Sequence, residues 1–169
     1  MNADELRALQ APLKQQYREN PDSALITFHA EGRLSEGVRC RLETPHGPVS
    51  SGLHPAAGGD GRDVCSGDML LEALVGCAGV TLRAVATAMG VTLRDATIRA
   101  EADADFRGTL AVNRDVSVGV QRLRLCYDLD TDATPEQISK LLQLTERYCV
   151  VFQTLINPPQ IEVSHRVVT

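Results

Sequence analysis

The stretch Gly67–Gly90, GDMLLEALVGCAGVTLRAVATAMG, is apolar on nearly every side and decides how the rest of the chain must be arranged. Its core, Met69–Met89, is about as long as a membrane span, yet it holds Glu72 and Arg83, with Gly76 and Gly79 near its middle. Two charges at membrane depth cost several kcal/mol or more, so the stretch reads as the buried helix of a soluble domain. Ser66 is placed to cap this helix, Asp68 in its first turn suits the helix dipole, and Gly90 ends it.

Downstream, Thr97–Phe106 alternates polar and apolar residues and predicts a strand with Ile98, Ala100, Ala102, Ala104 and Phe106 inward. Val118–Leu129 alternates too, with a change of phase near Gln121–Arg122 that a bulge would explain. The two predict an antiparallel hairpin around Gly108–Ser117. Thr134-Pro135-Glu136-Gln137 is a helix start, with a Thr cap, Pro at the first helical position and Gln closing a capping box. Asn157-Pro158-Pro159 stops the helix that carries Cys149, and Ile161–Val167 predicts a last strand.

Upstream, Leu6, Leu9, Leu13 and Tyr17 give an amphipathic helix over the first twenty residues, with a break at Pro12. Ala24–Ala30 is a short apolar strand candidate, and Val38–Glu43 alternates cleanly. Glu31–Gly37 between them reads as the hairpin connection carrying Arg33, and His46–Asp63, rich in Gly and Pro, as a long loop. Strands, a long helix, strands, helices and a final strand make an α+β fold, an antiparallel sheet packing a central helix. Residues 1–169 form one domain, with 1–20 as a helical arm.

The composition narrows the function. A chain of 169 residues with 43% hydrophobic and 23% charged residues is ordinary for a globular domain. A net charge of −5 argues against nucleic acid as partner. The opening MNADELRALQ has no apolar run of the kind a secretory signal needs. Five cysteines without paired spacing point to a reducing compartment, the cytoplasm.

Common catalytic and nucleotide-binding motifs do not occur. His46, His54 and Cys65 could contribute to a metal site, but their spacing matches no zinc pattern. Cys77 and Cys149 stand out. A thiol inside a dry helix is either an inert small hydrophobe or a reactive group shielded from water. Gly76-Cys77-Ala78-Gly79 leaves room for a ligand or another backbone near the sulfur, or for close helix packing.

The helix LLEALVGCAGVTLRAVA, the loop from His54-Pro55 to Gly58-Gly59, and the later LTERYCVVFQTL together resemble the osmotically inducible protein C and organic hydroperoxide resistance (OsmC/Ohr) superfamily. The likeness runs from about Ala24 to Val167. It implies an intertwined homodimer, with central helices wrapped by antiparallel sheets and active sites at the subunit interface. It also implies a cofactor-free thiol peroxidase. Cys77 matches the cysteine that attacks an organic hydroperoxide and becomes a sulfenic acid. Cys149 matches the resolving cysteine, which condenses with it to a disulfide. A dithiol reductant, lipoyl-type or thioredoxin-like, resets the pair.

Burial raises a thiol's pKa above ~8.5, and a midhelix position gains little from the helix dipole. The resemblance therefore calls for a cation at Cys77, an Arg from an early hairpin held by a Glu at the start of the cysteine helix. Arg33 matches that Arg, with Arg39 and Arg62 as fallbacks. Where the family commonly reads Asn-Pro-Glu, this chain has Cys65-Ser66-Gly67-Asp68, so Gly67 holds the Glu position. Asp68 and Glu72 are the available replacements. This departure sustains a second reading, a non-catalytic small-ligand-binding or stress-associated protein of the same fold.

Overall fold

The computed structural model describes residues 1–168, so Thr169 of the single-domain span lies outside the described residues. Its centre is α2, Ser66–Met89. Leu74, Ala78, Leu82 and Ala86 recur every four residues along it and are all but fully buried, which defines the face turned to the core. That face rests on a two-stranded antiparallel sheet of β5, Leu93–Asp103, and β6, Arg122–Thr131, and on the helices α4, Pro135–Tyr148, and α5, Val150–Ile156. Leu82, Ala86, Leu93 and Leu141 close one half of the core, and Leu74, Ala78 and Cys149 the other. Each fully buried leucine contributes about 1.5–3 kcal/mol. By length and composition alone α2 could cross a membrane, but here it is the central element around which the others pack.

Upstream of α2 lie α1, Ala3–Glu19, and a four-stranded sheet in the order β1, Glu31–Ser35, β2, Arg39–Glu43, β3, Val49–Gly52, and β4, Val64–Cys65. The first three strands are antiparallel, and β4 joins β3 in parallel before running directly into α2. A short helix, α3, Phe106–Thr109, opens the connection between β5 and β6.

Several expected boundaries move. Pro12 does not break α1: a capping box of Asn2 and Glu5 fixes its start, and the Ala8 carbonyl that loses its donor lies on an exposed helix where water can serve it. The first hairpin is shifted, because Glu31–Ser35 is itself a strand and the turn follows it. Arg33 therefore sits mid-strand, opposite Arg41, and not in a turn. Ala24–Ala30 and Ile161–Val167 carry no strand pairing, since among the described residues no strand pairs with them. His46–Asp63 is no single loop; it contains β3 and a 3-10 turn at Pro55–Ala57.

Ser66 is the first helical residue, and Cys65 is the cap of α2, with no side-chain hydrogen bond. Gly90 ends α2 with φ of 68°, the left-handed conformation that glycine adopts without strain. The β5 strand stops at Asp103, before Phe106, and β6 begins at Arg122, so the change of phase near Gln121 marks the start of a strand and not a bulge. The capping box at Thr134 and Gln137 forms, with Gln137 N–H donating to the Thr134 hydroxyl at 3.3 Å and Thr134 N–H donating to Gln137 at 2.9 Å. Outward residues of the β5–β6 ribbon form exposed ion pairs such as Arg124 with Asp103 and Glu101, worth little individually.

Candidate active site

Cys149 stands where α4 hands over to α5. Its N–H donates to the Thr145 carbonyl at 2.9 Å, and its own carbonyl accepts from Gln153 N–H at 2.9 Å. It is thus the last cap of one helix and the first cap of the next, in an extended conformation that changes the chain's direction. The side chain is fully buried against Leu74, one turn before Cys77 on α2, and Ala78, the residue that follows Cys77.

The break at Cys149 leaves the first N–H groups of α5 without helical acceptors. Those of Val151 and Val150 face the Cys77 sulfur. The Cys149 thiol and the Thr81 hydroxyl, the latter one turn along α2, complete the set of donors. Burial pushes the Cys77 thiol upward and is the largest influence on it. The Val151 N–H, the Cys149 thiol, the Val150 N–H and the Thr81 hydroxyl together outweigh it, and Cys77 lies below the ordinary thiol value. Cys149 moves the other way. Burial raises it, the adjoining Cys77 raises it further, and the N–H groups of Phe152 and Val151 offset only part. The two neighbouring thiols are thus shifted in opposite directions, and Cys77 gives up its proton more readily than Cys149.

The surroundings are apolar, with Ile98, Ala100, Leu123, Leu125, Val151 and Phe152 packed around the pair. The glycines beside Cys77 serve different ends. Gly79 lies over Ile98, where a Cβ would be 3.5 Å from the Ile98 methyl, whereas Gly76 faces open space.

The other sequence candidates do not converge on this point within one chain. Arg33 bonds Glu31 at 3.3 Å with its side chain 80% exposed. Asp68 and Glu72 are exposed on α2, and neither is among the groups acting on Cys77. Arg39 is held by Asp63 at 2.5 Å and Asp60 at 3.2 Å, which raises its pKa, and Arg62 reaches Asp60 at 4.0 Å. Among the described residues no group of three or more His, Cys, Asp or Glu side chains gathers as a metal site. His54 instead accepts from Ala56 N–H at 3.0 Å and stacks on Phe106 with ring centres 5.1 Å apart.

Sequence reasoning missed Thr81 and the α5 amides. The spacing of four residues from Cys77 to Thr81 was the available signal for the first. The second had none, because no breaker residue marks the end of α4 at Cys149.

A thiol pair between a central helix and a helix junction, backed by an antiparallel ribbon, defines an OsmC-type domain. The OsmC-like protein family matches residues 59–164, well over half of the chain, and the protein belongs to that family. Among solved structures the fold is shared with an OsmC-like protein from Mycoplasma pneumoniae, with a TM-score of 0.66 and 14% identity over 79% of this chain and 89% of that one. It is shared too with an organic hydroperoxide resistance protein from Elizabethkingia anophelis, with a TM-score of 0.60 and 11% identity over 76% and 89%. A third is an organic hydroperoxide resistance protein OsmC from Legionella pneumophila, with a TM-score of 0.55 and 14% identity over 78% and 91%. No curated protein matches the sequence.

Proposed function

We propose that the protein is a cysteine-based peroxidase that reduces organic hydroperoxides to alcohols. The carrying observation is the Cys77 sulfur, ringed by Val150, Val151, Thr81 and Cys149 donors and lowered below an ordinary thiol despite its burial. The Cys77 thiolate attacks the distal hydroperoxide oxygen. The S–O bond forms, the O–O bond breaks, and the alkoxide leaves to take up a proton as the alcohol. The Cys149 thiol then attacks the Cys77 sulfenic acid, forming the disulfide and releasing water. A dithiol, lipoyl-type or thioredoxin-like, returns both sulfurs to the reduced state.

Apolar walls at Leu74, Ile98, Val151 and Phe152 suit bulky organic hydroperoxides better than hydrogen peroxide. The hydroperoxide resistance proteins that share the fold support the same direction. The reading includes a homodimer in the cytoplasm, in which Arg33 serves as the cation for Cys77, held by Asp68 or Glu72. Its support is the apolar surface left open in one chain: Phe28 is 85% exposed, Val80 on α2 74%, and Val163 90%. Residues 24–30 and 161–167 are then strands completed by a second copy.

A rival reading, a small-ligand-binding protein without catalysis, draws on Gly67 in the position of the expected Glu and on Arg33 being paired with Glu31. Stopped-flow mixing with cumene hydroperoxide tests both. Saturable thiol oxidation in the wild type, lost in Cys77→Ser, is expected; equal peroxide consumption by the two proteins would end the peroxidase reading.

A further inference from the structure

Among the described residues, the Tyr127 hydroxyl is the one buried side-chain oxygen or nitrogen without a hydrogen-bond partner. Leaving such a group unpaired costs about 1–3 kcal/mol, so its placement calls for an explanation. Tyr127 lies on β6 opposite Ile98 of β5, on the inward face of the ribbon. Its ring packs against both halves of the core, including the Leu74, Ala78 and Cys149 cluster. A Phe there would fill the same apolar space without an orphaned oxygen.

The charges that bear on this hydroxyl are, in decreasing order, those of Cys149, Glu146 on α4 and Cys77 on α2. Burial first, and these neighbours second, push the phenol up to about 12, so at neutral pH it keeps its proton and can only be a donor to an anion. Cys149 is the sulfur in need of one. It is fully buried, with its pKa raised, and only the Phe152 and Val151 amides assist it.

We propose that the Tyr127 hydroxyl is the hydrogen-bond donor to Cys149 whenever that sulfur carries negative charge. The inference rests on the dithiol reading above and assigns a group to the sulfur that burial disfavours as an anion. In the reductive half, one thiolate of the dithiol reductant bonds to the Cys77 sulfur and the S–S bond breaks. The electron pair goes to Cys149, which leaves as a thiolate bonded by Tyr127 and is then protonated from water. The reductant's second thiolate next displaces Cys77 and closes its own disulfide. In the oxidative half, the proton of Cys149 leaves with the sulfenic hydroxyl as water, and Tyr127 steadies the charge that develops on sulfur.

The test is the pH titration of Cys149 in Cys77→Ser protein, followed by its alkylation rate with iodoacetamide. With Cys77 removed from α2, the titratable group coupled to it is Tyr127 from β6, and Glu146 from α4 acts on Tyr127. Adding Tyr127→Phe is expected to raise the Cys149 midpoint by about one pH unit, a tenfold loss of thiolate at fixed pH, in protein with unchanged circular dichroism. An unmoved midpoint overturns the proposal. Should Tyr127→Phe fold poorly, the Cζ carbon resonance of Tyr127 in Cys77→Ser protein serves instead; it is expected to shift as Cys149 ionises, and a resonance indifferent to that step overturns the proposal. Neither readout uses peroxide, so a wild-type protein inert to cumene hydroperoxide would refute the peroxidase reading separately.

Discussion

The backbone N–H of Val151, in the first turn of α5, faces the sulfur of Cys77 in the middle of α2. The contact joins two residues more than seventy positions apart in sequence and exists because α4 stops at Cys149. One residue therefore does two things: it breaks the helix that exposes the amides, and it carries the second thiol. A buried sulfur would ordinarily hold its proton more tightly than one in water. Here local dipoles reverse that, without a guanidinium from the same chain.

The pH dependence follows from this reversal. Cys77 has a folded pKa below its unfolded one, so its thiolate persists below the ordinary thiol range, about 8.5. The rate of peroxide attack should therefore fall on the acid side with a midpoint below that value. By linkage, the stabilisation it gives is present above the unfolded pKa and is lost as pH falls through the folded one. Thr81→Val removes one donor and should raise the midpoint by up to about one unit, a three- to tenfold slower attack at pH 7. Single-turnover rates from pH 5 to 9 check this; identical profiles would mean that Thr81 does not act on the thiolate.

Cys149→Ser separates the two halves of the cycle. The first attack needs only the Cys77 thiolate, so this variant should consume peroxide once and stop with Cys77 as a sulfenic acid. Dimedone should add to Cys77 stoichiometrically, as read by intact-protein mass, whereas wild type should form the disulfide and resist labelling. Sustained turnover by Cys149→Ser with a dithiol present would remove Cys149 from the cycle.

Much of this fold was legible because its elements are locally determined. The Thr134 to Gln137 box, the Gly90 stop and the apolar run around Cys77 each carry their own signal, and each forms as read. What failed depended on partners that a local pattern does not contain. Ala24–Ala30 has the composition of a strand, yet a strand exists only where another backbone accepts its hydrogen bonds, and among the described residues no strand does so. The two glycines of Glu31–Gly37 suggest a turn at Arg33, although Gly32 is the strand residue packed over Cys40 and Leu42. At the site, both cysteines could be singled out by setting, but the Val150 and Val151 amides could not, since backbone donors leave no mark in a sequence.

The open apolar face of α2 gives a prediction about assembly. Val80 is exposed beside Gly76, where nothing lies within 4 Å of a built Cβ, so the helix presents a flat strip that another helix could meet closely. Val80→Asp places a charge there. Light scattering coupled to gel filtration should show a dimer for the wild type and a monomer, or a much weaker dimer, for the variant. A wild-type monomer at micromolar concentration would refute the dimer outright.

Gly59 offers a test confined to the loop between β3 and β4. A Cβ at this residue would lie 1.7 Å from the Leu53 carbonyl oxygen, which is backbone and cannot swing aside as a side chain would. Gly59→Ala must therefore move the chain near Leu53 and Asp60. Asp60 is one of two carboxylates holding Arg39, at 3.2 Å, while Asp63 holds it at 2.5 Å, and the second contact should survive. The expected cost is about 1–3 kcal/mol, or roughly 2–4 °C in Tm for each kcal/mol in a chain of this size. The Cys77 donors come from α2 and the α4–α5 junction, so the single-turnover rate should remain within about twofold, given that distant sites with no shared partners behave independently. A rate that collapses while the loss of stability stays small would place this loop in the peroxide site itself.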